Sequence, residues 1–176
     1  MKGRRHNEYT KTASMPHKLV GDALAKSSVF SGHKRFQEVS YSQIIQWAVG
    51  KEGVENVVDL LDVTRGEAGR WKADWVIKNL GIVIEVQGKQ HKVPVAFGGN
   101  PMKAVQRFER QRSIDRDKEA ICVHIDWTFV TIDSDELMNQ SLFERTEWVE
   151  DVVCDRMAEE RKKVNQRGGS KENVDK

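Results

Sequence analysis

The chain has 176 residues, of which 32% are charged, with 29 Lys and Arg against 27 Asp and Glu, a net charge of +2 and a mean hydropathy of −0.64. This length allows one domain with a sizeable core, no apolar run approaches the length of a membrane span, and the overall charge barely favours a polyanion. Cys122 and Cys154 are too few for a disulfide framework and too far apart for a zinc knuckle, and the basic start MKGRRHNEYTK lacks a following apolar segment, so a reduced, cytoplasmic location is expected.

Residues 1–35 read as a polar, basic N-terminal arm in which Leu19, Val20, Ala23 and Leu24 are spaced for one short helix. Ser40 is placed to cap a helix carrying Ile44, Ile45, Trp47 and Ala48 on one side, with Gly50 as its stop. Residues 54–61 (VENVVDLL) fit a second short helix or a strand, and residues 64–70 (TRGEAGR) have the composition of a loop.

Two apolar runs follow, Trp75-Val76-Ile77 and Ile82-Val83-Ile84, separated by Lys78-Asn79-Leu80-Gly81. β-Branched residues on both sides of an Asn- and Gly-containing break predict a hairpin. Pairing Ile77 with Ile82 puts Asp74 opposite Glu85, and strand alternation then puts Asp74, Glu85 and Gln87 on one face. Like charges directly opposite one another destabilise a sheet, so the pair requires a cation or a proton. A hard divalent metal held by Asp74 and Glu85 is the simplest compensation, with the imidazole of His91 close behind Gly88.

A long loop with Pro94, Gly98-Gly99 and Pro101 leads to a helix predicted over about residues 102–121. Phe108, Gln111, Asp115, Lys118 and Cys122 form its inward stripe, which turns Asp115 toward the core and Asp117 toward water. Residues 127–132 (WTFVTI) predict a third strand. Ser134 then caps a final long helix with Asp135 and Glu136 in its first turn, an apolar side that includes Leu137, Val149 and Val153, and Arg161, Lys162 and Lys163 near its end. Residues 166–176 read as a disordered tail, and Trp71 and Trp75 as packing residues. The order helix, strands, helix, strand, helix implies an α/β fold over residues 36–165, with a small mixed sheet flanked by helices.

The segment IEVQGKQH (residues 84–91), followed by Pro94, Phe97, Gly98 and Gly99, resembles phage and bacterial nucleases related to very-short-patch-repair endonucleases and to the Glu-Asp-x-His-Asp homing endonucleases. These belong to the PD-(D/E)XK, or restriction-endonuclease-like, superfamily. The resemblance covers about residues 40–133 and includes Phe108, Gln111, Asp115, Lys118 and Cys122. It implies a Mg²⁺- or Mn²⁺-dependent endonuclease, of homing or nicking type, acting on double-stranded DNA, in a host cytoplasm if phage-encoded. A homodimer is one assembly compatible with it. Asp74 and Glu85 resemble the metal-binding carboxylates, His91 the catalytic histidine and Asp115 the helix aspartate. Gln87 stands where the wider superfamily most often has lysine, and Gln43 where such proteins tend to carry glutamate on the first helix, which implies one anionic ligand fewer. Lys89, Lys92, Arg70, Lys72, Arg4 and Arg5 are the phosphate-contact candidates. The alternative, from a different class, is a nuclease-fold DNA-binding or interaction module weakened in catalysis at Gln43.

Overall fold

The computed structural model describes residues 14–95 and 100–169. Its helices are α1 (Met15–Lys26), α2 (Tyr41–Leu60), α3 (Arg65–Arg70), α4 (Pro101–His124), α5 (Ser134–Asn139) and the long α6 (Arg145–Gly169). Its strands are β1 (Arg35–Ser40), β2 (Lys72–Ile77), β3 (Ile82–Gln87) and β4 (Thr128–Asp133). They form one mixed sheet in the order β1-β2-β3-β4, antiparallel up to β3 and parallel between β3 and β4. The chain is therefore of mixed α/β class, as expected, and no helix among the described residues is long and apolar enough to cross a membrane.

The hairpin has the expected register from Ile77 opposite Ile82 to Trp75 opposite Ile84, where its ladder ends short of the expected Asp74–Glu85 pair. Its turn is a 3-10 turn at Lys78–Leu80 closed by Gly81 at φ 61° and ψ 42°. Glycine suits this left-handed position, and a Cβ there would come within 3.3 Å of the Trp127 indole. Helices cover both sheet faces. On one, Ala73, Val76, Val83 and Phe129 pack with Ile44, Ile45 and Val58 of α2 and Ile121 and Cys122 of α4. On the other, Trp75, Ile77, Ile82, Ile84 and Ile132 pack with Val20 and Leu24 of α1, Leu137 of α5, and Val149 and Val153 of α6. Burial on both faces explains why β2 and β3 read as continuous apolar runs.

Several expectations are corrected. Residues 15–35 are not an arm: Val20, Leu24 and Phe30 are fully buried, and the Trp75 indole N–H donates to the His17 carbonyl at 3.0 Å. Gly50, at φ 79° and ψ 172°, breaks α2 into two helical segments across a kink, so the first stops there as expected, and residues 54–60 lie in the second segment rather than in a strand. Residues 65–70 are helical because Thr64 and Glu67 form a reciprocal capping box. The C-terminal helix is two helices, α5 capped by the Asp133 carboxylate rather than by Ser134, and α6, which extends through residues 166–169 of the expected tail. Arg4, Arg5, Phe97, Gly98 and Gly99 lie outside the described residues.

Candidate functional site

The site begins where β2 leaves its ladders. Pairing with β1 runs to Gln37 opposite Trp75 and resumes at Val39 opposite Ala73, while pairing with β3 ends at Trp75 opposite Ile84. Glu38, opposite Asp74 in this register, has φ 55°, an uncommon backbone state for a residue with a Cβ. The Asp74 carboxylate replaces a missing ladder bond, Oδ2 accepting from the Val86 N–H at 2.7 Å. Its Oδ1 lies 3.2 Å from Nε2 of His17 on α1. The hydrogen bond with Asp74 raises the His17 pKa against the opposing effect of burial, with further help from the fields of Asp74, Glu38 and Glu85.

Glu85 is 8% exposed. The Lys118 ammonium donates to both carboxylate oxygens at 3.0 Å, and the Tyr41 hydroxyl donates to Oε1 at 2.8 Å. Lys118 also donates to the Lys72 carbonyl at 3.1 Å. Burial pushes the Glu85 carboxyl up to about 7, with Lys118 opposing the shift and Asp74 adding to it. Burial and the Glu85 charge raise Tyr41 well above the ordinary phenol range, so it remains an O–H donor.

One turn before Lys118 on α4, Asp115 pairs through Oδ2 with His91 Nδ1 at 2.8 Å, and Gln111 Nε2 donates to Oδ1 at 2.8 Å. Burial alone would raise the Asp115 pKa, but the bonds from His91 and Gln111, with the charges of His91 and Lys118, bring it below its ordinary value. An ionised Asp115 accepts the Nδ1 proton and leaves His91 Nε2 as the basic nitrogen.

α4 thus holds Asp115 against His91 and Lys118 against Glu85, and Asp74 acts on Glu85 through its field. Gln87 and Gln43 have other neighbours. Gln87 pairs in register with Asp133 and lines a cleft with Thr131, Asp133, Glu136, Trp148 and Val152. The Gln43 side chain donates to Gln46 at 3.2 Å, and Tyr41 is the α2 residue that reaches Glu85. Lys89, Arg70 and Lys72 are exposed, whereas Lys92 forms an ion pair with Asp133. Asp117 is partly buried rather than directed wholly to water, and that burial raises its pKa.

Sequence reasoning assigned no site role to Tyr41, His17 or Lys118. Lys118 did carry a signal, because a lysine on an inward stripe demands a buried acceptor; Tyr41 and His17 carried none.

Among the described residues, no group of three or more His, Cys, Asp or Glu side chains is arranged to hold a metal. Asp74 and Glu85 suit Mg²⁺ in kind, since that ion takes oxygen ligands and often uses one or two carboxylates with waters. Both carboxylates are engaged by protein donors, so a cation would share their oxygens with His17 and Lys118. No known protein-family model, curated protein or solved structure matches this chain.

Proposed function

We propose that this chain is a metal-dependent DNA endonuclease with a restriction-endonuclease-like core, hydrolysing phosphodiester bonds in double-stranded DNA. The observation that carries the reading is the work of α4, which on successive turns delivers Asp115 to His91 and Lys118 to the buried Glu85. An imidazole–carboxylate pair and a strand carboxylate are thereby both anchored to one helix.

Asp74 and Glu85 are the residues that would hold Mg²⁺ or Mn²⁺, an ion that supplies Lewis-acid polarisation of a phosphate and lowers the pKa of water. His91 takes the proton of the attacking water at Nε2. Asp115 fixes the imidazole orientation and stabilises its charge once protonated. Lys118 compensates the buried carboxylate and keeps Glu85 in place.

Nicking of supercoiled plasmid tests this. Relaxed circles are expected with Mg²⁺ and none with EDTA, and Asp74→Ala should abolish nicking while the melting transition persists. The closed pairing of Glu85 with Lys118 and Tyr41 favours a second reading, a nuclease-fold DNA-binding or interaction module without catalysis. DNA binding without nicking in either Mg²⁺ or Mn²⁺ would select it.

A further inference from the structure

Beside the His91–Asp115 pair lies a cleft of about 230 Å³ lined by Gln90, Val95, Ala104, Arg107, Phe108 and Gln111. Its α4 residues follow helical spacing, so one face of α4 forms its wall. The lining combines an aromatic ring, small apolar side chains, two amides and a guanidinium. Arg112 covers part of the ring, its guanidinium carbon 5.7 Å from the Phe108 centroid. Gln111 has committed one N–H to Asp115, and its amide also carries a second N–H donor and a carbonyl acceptor. The Gln90 amide folds back over Gly88, where a Cβ would meet its oxygen at 2.9 Å.

The adjoining flank of α4 carries Lys103, Arg107 and Arg110, all exposed. Some other surface cations are paired, Arg65 with Glu55, Arg156 with Glu119, Glu159 and Glu160, and Lys163 with Glu160. Among the described residues, Lys103, Arg107 and Arg110 form no such ion pair. Glu67 is held below the usual carboxylate range by hydrogen bonds within its capping box and then by the fields of Arg70 and Arg110. The fields of Arg110 on α4 and Arg70 on α3 thus reach the same carboxylate.

We infer that the cleft and this flank form a nucleotide subsite, in which an unpaired or extruded DNA base enters against Phe108 while Arg107 and Arg110 hold the phosphates beside it. An aromatic wall stacks a base of any sequence, amides read base edges by hydrogen bonds, and arginine matches phosphate geometry. The inference rests on the proposed nuclease reading for the identity of the ligand. Through Gln111 it links base occupancy to the Asp115 carboxylate that orients His91.

The test is fluorescence anisotropy of the full chain with a short DNA duplex bearing one unpaired base, in EDTA so that nothing is cut. Arg107→Glu/Arg110→Glu should weaken binding by on the order of tenfold or more and lower the log affinity–log salt slope by about two, while the α6 control Arg161→Glu/Lys162→Glu stays within about twofold. Absence of DNA binding by the wild type, an unaffected double variant or equal loss in the control overturns the subsite, as does tighter binding of an RNA of the same sequence. If the double variant fails to fold by circular dichroism, Arg107→Gln alone should lower the slope by about one, and an unchanged slope counts against the subsite. With 5-iododeoxyuridine at the unpaired position, the photocrosslink should map to the peptide containing Phe108; a crosslink confined to another peptide, or none, overturns the base assignment. Binding with this pattern but no plasmid nicking retains the subsite and removes only the nuclease reading.

Discussion

Glu85 sits between an ammonium and a phenol in a site that water barely reaches, and burial is the largest contribution to its pKa of about 7, against an ordinary value of 4.5. Over that interval the folded protein holds a proton that the unfolded chain releases, so this group makes stability fall as pH rises from 4.5 to about 7. Urea midpoints of the metal-free protein should show that decline, and Glu85→Gln should flatten it; the same slope in the variant would assign the titration to another group. Lys118→Met removes the cation that opposes the rise of the Glu85 pKa, so Glu85 should hold its proton at neutral pH, and the expected cost there is about 1–3 kcal/mol by denaturant unfolding for the lost hydrogen bonds. The His91–Asp115 pair gives a kinetic contrast. Asp115→Asn removes the anionic acceptor of the Nδ1 proton and should lower the nicking rate by ~10²-fold, whereas Asp117→Asn, which touches neither His91 nor Glu85, should change it by less than about threefold. Equal losses would separate Asp115 from the chemistry.

α1 differs most from its sequence reading. Its apolar residues are few, yet Val20 and Leu24 are fully buried in the core shared with α6, and His17 reaches Asp74. A truncation that removes residues 1–30 therefore takes away core and a site partner together. A truncation that stops at residue 13 removes none of the described contacts. Circular dichroism melts should show the shorter truncation close to wild type and the longer one strongly destabilised, since each large aliphatic lost from a core costs about 2–5 kcal/mol. A longer truncation that melts like the full chain would show that α1 contributes little to the fold.

At the scale of the whole molecule, the sheet is the shared wall of two cores. Trp75 and Ile84 face one, and Val76 and Val83 face the other. Arg156 fastens the sheet edge, donating to the Phe129 carbonyl of β4 at 3.1 Å and to Glu119 of α4 at 3.0 Å from its place on α6. Neither core is complete without the strands, so the two should unfold together. Leu24→Ala on one side and Ile121→Ala on the other should each lower a single common midpoint by about 2–5 kcal/mol of stability. A biphasic denaturant curve in either variant would show that the cores are separable.

The hairpin, its register and the inward turn of Asp115 were legible in the sequence because each rests on a local pattern: two β-branched apolar runs flanking an Asn- and Gly-containing break, and the 3.6-residue repeat in α4. The capping box of α3 was equally present in Thr64 and Glu67 and was obscured by the glycines around it. β1 showed little alternation because only Val39 in it is fully covered. What the tertiary structure alone decided is the chemistry around the carboxylates. Tyr41 and Glu85 are 44 residues apart in the chain, and His17 and Asp74 are 57 apart; no local pattern records such pairings. The sequence determined that two carboxylates would occupy the open end of the hairpin and need compensation. The packing of α1, α2 and α4 around the sheet decided that His17, Tyr41 and Lys118 provide it, because burial makes a hydrogen-bonding or charged partner obligatory and only the assembled layers determine which side chain is within reach.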